Sequence, residues 1–363
     1  MAPPRMLFVN RDSEIGGGVT YMIHVASALM ARGWEVDMLA PRGPALPRLQ
    51  GSGMKWINGR IFHPIQAGKV AKIIERGGYD VVSITAYTVA RATVLACKKL
   101  GVPVYNTMHG PAPEKRHEEW GRLYPDLDSI VVLNEFIYQH YLDHGLKESK
   151  LCLSRIITPW RAEPPQKKGS SFLYCSRLSK TKGTQCRQFL QAALKFKPDE
   201  IVVVGDGSMR KELTREFPSV HFVGATNETQ QYFDRATLTA GAGYVAVESI
   251  EAGAAVVGMG FSGCLGAVTE RDYGWMVSRN FGDHAGPKRA HDPAQLEHDI
   301  ERAMAVYQSG EAKEVRQLAG YEFSLDAVGN QLDGFLRRLA KKESFSDLSH
   351  PRYTNDFSQV RPS

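Results

Sequence analysis

The chain has 363 residues, of which 43% are hydrophobic and 23% charged, a balance that excludes a disordered chain and provides for two domains with a core each. No stretch reaches the roughly 18 to 20 apolar residues that span a bilayer. The five cysteines, Cys97, Cys152, Cys175, Cys186 and Cys264, are scattered and lack CxxC spacing, which argues against a disulfide framework or a zinc site, while the formal charge of +6 suits a partner that carries phosphates.

In chain order, MLFVN reads as a first buried strand rather than a secretory segment, since its apolar run is too short and no small-residue cleavage pattern follows. DSEIGGG is a loop, VTYMIHVASALMARG has apolar residues at helical spacing and ends at Gly33, and WEVDMLAP returns as a strand, so a parallel pair joined by a helix is expected within the first forty or so residues. The alternation continues with a helix from about Pro64 to Arg76, the strand DVVSIT, a helix from Ala90 to Leu100, the strands VPVYNTMH and SIVVLN, and a helix from Glu135 to His144. Thr158 to Ser171, with three prolines, charge and small polar residues, reads as a linker. A second alternating series follows: SFLYCS, a helix from Thr184 to Phe196, EIVVVGDG with a glycine-rich turn, a helix to about Phe217, VHFVG, a helix over Gln230 to Arg235, ATLTAGAG, a helix ending near Gly253, and AAVVGMG. Beyond Asp292 the chain is helical and polar, and the segment from Glu343 to Ser363 is expected to be a loose tail or a strap. The fold class expected is α/β, two doubly wound Rossmann-like domains facing a cleft, with residues 1–160 as the first domain, 171–322 as the second, and 323–363 as a helix and tail packing back on the first.

In doubly wound sheets ligands bind where strands end at their carboxyl side, so the loops after strands are the candidates. Gly16, Gly17 and Gly18 stand immediately before a helix, where bare N–H groups and the helix dipole favour an anion; their order is not the GxGxxG of a dinucleotide site. In SRLSKTKGT, Arg177 and Lys182 form a basic loop that could neutralise a departing diphosphate, and a solvated charge run is the bland alternative. Gly241 and Gly243 open a helix on which Glu248 can take two ribose hydroxyls, whereas Glu251 is expected to be a surface charge. His109 directly follows a strand and can donate to a sugar hydroxyl, although a packed structural histidine would also fit. His140 and His144 lack a third ligand, so no metal is expected; no GxSxG elbow is present, which argues against a hydrolase triad, and no Walker loop.

These loops resemble those of retaining GT-B enzymes, specifically glycosyltransferase family four. The resemblance extends to about Asn280 and rests on five pieces in order: GGG before the first helix, TMHGPAP, RLSKTKG after the linker, VVGDGSMRKEL, and a glycine-rich helix start with an EAG-type ending. It implies that the acceptor binds mostly to the first domain and the nucleotide sugar to the second. Gly16, Gly17, Gly18, Gly205, Gly207, Gly241 and Gly243 then line the donor, Arg177 and Lys182 clamp its diphosphate, Glu248 holds the ribose, and His109 contacts the transferred sugar. The family's pair of glutamates is half kept, because its first position falls on Ala240; sugar contacts at that end are expected from FSGCLG, with Ser262, Gly263 and Leu265. Lys115, Arg116 and Trp120 are acceptor-side candidates that a solvated helix explains equally.

The function expected is transfer of a sugar, with retention and without metal, from a UDP- or GDP-linked donor acting as co-substrate to a hydroxyl acceptor in glycan, glycolipid or glycosylated-metabolite biosynthesis, with no further cofactor. A non-hydrolysing nucleotide-sugar epimerase and a catalytically weak nucleotide-sugar-binding module stay open as alternatives. FLRRLAKK, Phe335 to Lys342, suits a helix end or contact with anionic lipid headgroups better than nucleic acid, since aromatic interleaving is missing. A cytoplasmic protein, peripheral on the inner face of the membrane, is the expectation.

Overall fold

The structure, a computed structural model, describes residues 2–61, 63–110, 114–167, 169–284 and 293–343, and of residues 114–117 the backbone alone. The chain divides into two compact units, residues 1–157 with 325–363, and 158–324. Residues 344–363, most of the expected tail, lie outside the described residues.

The first unit alternates β1 (Arg5–Val9), α1 (Gly17–Met30), β2 (Glu35–Ala40), α2 (Leu46–Gly51), β3 (Lys55–Asn58), α3 (Ala67–Gly77), β4 (Val81–Ile84), α4 (Tyr87–Leu100), β5 (Val104–Met108), α5 (Glu114–Gly121), β6 (Ser129–Val132), α6 (Glu135–Asp143) and β7 (Leu151–Leu153). Among the described residues the strands form one parallel sheet in the order β3-β2-β1-β4-β5-β6-β7. Strand cores such as LFV and IVV are apolar without alternation because helices cover both faces of the sheet. Strand order reverses between β1 and β4, which makes their carboxyl ends the topological switch point of this unit. Two short strands, β3 and β7, escape the sequence reading: KWIN is only half-buried and LCL has three residues, too few to show a period.

The second unit runs β8 (Ser171–Cys175), α7 (Lys180–Ala193), β9 (Glu200–Val204), α8 (Arg210–Glu216), β10 (His221–Gly224), α9 (Gln230–Arg235), β11 (Leu238–Gly241), α10 (Tyr244–Glu251), β12 (Ala255–Gly260), β13 (Gly263–Ala267), α11 (Tyr273–Ser278), α12 (Pro293–Ser309) and α13 (Glu311–Phe323). Its sheet has the order β10-β9-β8-β11-β12-β13, parallel except for β13, and its switch point lies between β8 and β11. One core, including Phe189, Leu190, Leu296 and Ile300, fills one face, and a smaller one with Phe233, Ala236 and Ala252 fills the other.

The chain then returns to the first unit as α14 (Leu325–Ala340). Val328, Leu332, Phe335, Leu336 and Leu339 are buried there, with Phe335 edge-on to Tyr105 of β5 at 5.8 Å. Around this face the Trp34 indole N–H donates to Asp333 Oδ1 at 2.6 Å, Arg32 donates to Asn330 Oδ1 at 2.9 Å, and Gln331 donates to the Leu153 carbonyl at 2.6 Å. The apolar face of FLRRLAKK is therefore spent inside the unit, and Arg337, which also packs over the Trp34 ring at 5.6 Å, is part of that docking. Among the described residues no helix is long and apolar enough to cross a membrane.

One expectation is corrected in the second unit. Glu251 is no surface charge: it is 2% exposed, its carboxylate accepts from Arg161 Nε at 2.8 Å and Nη2 at 2.7 Å, and Arg161 also reaches Asp234 at 2.8 Å. Arg316 donates to the carbonyls of Glu251, Ala162 and Arg161, and Lys167 to those of Phe233 and Asp234. A short helix shows only one face to solvent, and α10 turns this carboxylate inward toward a guanidinium; residues 161–167 of the expected linker are consequently strapped to the second unit. Within FSGCLG the chain turns into β13, residues 263–267, a strand antiparallel to β12 with Gly260 paired to Gly263.

Candidate functional site

Several helices that follow strands of the two sheets start without a cap, among them α1, α4, α7, α9 and α10. α1, α7 and α10 each have no side-chain cap hydrogen bond and no acidic residue in the first turn. Helix N-termini ordinarily recruit Ser, Thr, Asp or Asn caps and carboxylates to complement their dipole. Bare amides at such positions suit an anion, though the missing cap by itself singles out none of these helices.

In the first unit, Gly16 is the residue before α1, and Gly17 and Gly18 are its first two residues. A Cβ added at Gly16 or Gly18 would meet nothing within 4 Å, and neither has the left-handed backbone that demands glycine. Packing within the protein therefore gives no reason for these glycines; close approach by something else does. His109 follows β5 and its ring stands edge-on to Tyr21 of α1, centroids 5.1 Å apart, which brings it to the same helix that the glycines open. At the switch point Thr85 Oγ1 donates to Asn10 Oδ1 at 2.5 Å, tying the ends of β1 and β4 together. Trp120 is corrected: it is 6% exposed, stacked on Tyr124 and edge-on to Tyr87 in the core, so its indole is not available to an acceptor. The side chains of Lys115 and Arg116 lie outside the described residues.

In the second unit the basic loop after β8 is shorter than expected, because α7 begins at Lys180. Lys182 therefore sits in the first helical turn, where a cation opposes the dipole, a local conflict that an anionic ligand would relieve. Tyr174 of β8 donates to the Lys182 carbonyl at 2.9 Å, and Lys182 Nζ contacts Asp283 Oδ1 at 3.0 Å. Arg177 is exposed and makes no ion pair among the described residues. Gly205 and Gly207 shape this loop from beneath: an added Cβ would fall 1.8 Å from the Ser176 carbonyl oxygen and 2.4 Å from the Leu178 carbonyl carbon. These two glycines are accounted for by backbone packing of the β9 turn against residues 176–179.

Across the switch point, Gly241 ends β11 and Gly243 precedes α10 with φ +57°. Glu248 lies on α10, and its charge helps burial push the Cys175 thiol up to about 12, which places that carboxylate beside the end of β8. Ser262 is held at the turn before β13, its N–H donating to the Gly282 carbonyl and its Oγ to that of Asp283, both at 3.0 Å; its amide is thus spent inside the protein. Gly263 and Leu265 are part of β13. Ala240 is fully buried within β11 in the main core, where a glutamate would be an unpaired buried carboxylate, so alanine is what this strand requires.

The structure thus brings Arg177, Lys182, Gly241, Gly243 and Glu248 to one sheet edge and adds Asp283, which no sequence pattern marks. It follows a kink in which Asn280, Phe281 and Gly282 all have positive φ. His284 beside it is held below its ordinary pKa by burial, with Asp283 opposing and Lys182 reinforcing the shift. Among the described residues no three His, Cys, Asp or Glu side chains converge as metal ligands.

Residues 15–153 match the family described as Glycosyltransferase Family 4. No curated protein matches the chain in sequence. Among solved structures, a glycosyltransferase from Rickettsia africae superposes with a TM-score of 0.69 at 15% identity, covering 94% of this chain and 100% of that one. HepE from Anabaena, solved with UDP-glucose, gives 0.69 at 15% identity over 92% and 99% of the two chains. Sucrose-phosphate synthase from Thermosynechococcus elongatus gives 0.65 at 17% identity over 94% and 100%. The protein has the GT-B fold, and its residues 15–153 carry the sequence pattern described as Glycosyltransferase Family 4.

Proposed function

We propose that this protein is a glycosyltransferase that moves a sugar from a UDP- or GDP-linked donor to a hydroxyl acceptor, with retention and without a metal ion. The observation that carries the reading is the edge at β8 and β11, where Arg177, Lys182 at the start of α7, and Glu248 on α10 follow the carboxyl ends of adjacent strands. In this reading Arg177 and Lys182 take up the charge that develops as the bond from the anomeric carbon to the diphosphate breaks. Glu248 accepts from two ribose hydroxyls. The acceptor oxygen bonds to the anomeric carbon on the face the diphosphate leaves, and its proton passes to a phosphate oxygen of the leaving group, so no protein nucleophile is required. That HepE was solved with UDP and with UDP-glucose supports a UDP-linked donor.

A thermal-shift panel of UDP-, GDP-, dTDP- and ADP-sugars identifies the donor, since a ligand that binds only the native state raises its melting temperature. With that donor, Arg177→Ala and Lys182→Ala each lower kcat by at least about tenfold, or about 1.4 kcal/mol of transition-state stabilisation. Wild-type turnover in either variant at saturating donor would show that the clamp is elsewhere.

A further inference from the structure

We propose that Asp283 reads the transferred sugar: one oxygen of its carboxylate fixes Lys182 and the turn at Phe261, and the other accepts a hydroxyl of the donor's sugar. The inference rests on the donor reading above and names the residue that distinguishes a nucleotide sugar from the bare nucleotide.

Three loops meet at this side chain. Oδ1 accepts from Lys182 Nζ at 3.0 Å, in the first turn of α7, and from the Phe261 N–H at 2.9 Å, after β12. Oδ2 points to the third loop, since a Cβ built on Gly243 would lie 3.5 Å from it. The meeting depends on a close backbone approach: a Cβ on Gly260 would fall 2.2 Å from the Gly282 carbonyl carbon, and one on Gly282 2.8 Å from the Gly260 nitrogen. Asn280 and Phe281, at φ +51° and +57°, carry the chain into that contact, and non-glycine residues hold such angles only where surrounding structure enforces them. Considerable local strain is thus spent on bringing one carboxylate to this position.

Its chemistry asks for a ligand beyond the diphosphate. A carboxylate beside an anion site weakens anion binding, so its presence next to Lys182 works against a clamp that served phosphate alone. Oδ1 is already loaded with two donors, whereas Oδ2 has no hydrogen-bond partner among the described residues, and the side chain is 30% exposed. A carboxylate oxygen of that kind forms strong hydrogen bonds to hydroxyls. Phe261, whose N–H makes one of these bonds, is 51% exposed, and its ring is an apolar surface of the kind that packs on the C–H side of a pyranose. A hydroxyl acceptor, an apolar ring and a diphosphate clamp, all tied through Asp283, fit a sugar attached to a diphosphate.

The test uses the full chain and calorimetric titration of UDP against UDP-glucose and GDP against GDP-mannose, for wild type, Asp283→Asn, Asp283→Glu and Lys182→Ala. Asn keeps an oxygen for the Phe261 N–H but loses the charge; Glu keeps the charge and shifts it by a methylene. Expected is at least a tenfold loss of nucleotide-sugar affinity in Asp283→Asn, with the bare nucleotide bound as well as in wild type or more tightly. Equal changes for both ligands, or none, overturn the proposal and leave Asp283 a structural residue. If Asp283→Asn does not fold, Asp283→Glu decides: unchanged preference for the nucleotide sugar over the nucleotide overturns it. Binding of neither nucleotide by wild type, or nucleotide affinity untouched in Lys182→Ala, instead overturns the donor reading itself.

Discussion

Gly18 and Gly205 show how differently two glycines can be required. At Gly205 a methyl group would overlap the Ser176 carbonyl, so the fold forbids any other residue; at Gly18 a methyl group meets open space inside a helical turn. Alanine at position 18 should therefore stabilise the protein, by up to about 1 kcal/mol from helix propensity, while lowering kcat/KM if the space belongs to a ligand. Chemical denaturation and initial rates on the one variant check both halves, and a variant with unchanged activity removes Gly18 from the site. His24 makes a second argument at this scale. Burial lowers its pKa to about 4, and its neutral ring donates from Nδ1 to the Ile157 carbonyl at 2.7 Å. The unfolded chain, with an ordinary histidine near 6.5, binds the proton first, so this residue's contribution is complete above about pH 6.5 and falls as pH drops toward 4, by about 3 kcal/mol over the full window. His24→Gln keeps a donor for the carbonyl, and its denaturation midpoint should vary less than that of wild type between pH 7.5 and pH 5.

Among elements, α10 carries both a candidate site residue and a structural one, and they were legible in the sequence to different degrees. Glu248 follows a glycine-opened turn after a strand, a pattern tied to ligand chemistry. Glu251, three residues on, was unreadable because its partner Arg161 is 90 residues away in a stretch that looks like an ordinary linker. Glu251→Ala removes the hydrogen bonds Arg161 makes to this carboxylate while leaving Arg161 on Asp234 and Arg316 on backbone carbonyls, at a cost of about 2 to 3 kcal/mol. A melting temperature lowered by roughly 10 °C is the expected outcome, and a shift of only a degree or two would show that the strap at 161–167 is held by its backbone bonds alone. The same limit explains Trp120, whose apolar partners Tyr87 and Tyr124 sit in separate elements, and Asp283, whose role arises from a kink that no local pattern encodes. Long, periodic helices and continuous apolar strands were readable since each declares itself within a window of ten residues or so; three-residue β7 and the hairpin strand β13 do not.

At the scale of the whole molecule, the second unit is an insertion within the first. Its ends are neighbours: the Thr158 N–H donates to the Phe323 carbonyl at 2.8 Å, and Thr158 bridges to Ser324. The first unit is completed only when the chain comes back as α14, an arrangement implied by neither periodicity nor composition. Connectivity of this kind makes the two units unequal in their dependence on the full chain. Residues 158–324 contain a complete sheet, both of its cores and their own closing contact, so expressed alone they should unfold cooperatively and, on the proposed function, retain nucleotide binding. A chain ending at Ser324 lacks Val328, Leu332, Phe335, Leu336 and Leu339, each buried in the first unit. At about 1.5 to 3 kcal/mol per large apolar side chain, that loss is on the order of 10 kcal/mol, comparable with the whole stability of a domain. Calorimetry of the truncated chain should thus show one transition, that of the second unit, and amide exchange should find β1, β4 and β5 unprotected. Two cooperative transitions in the truncated chain would mean that α14 decorates a first unit that is stable without it.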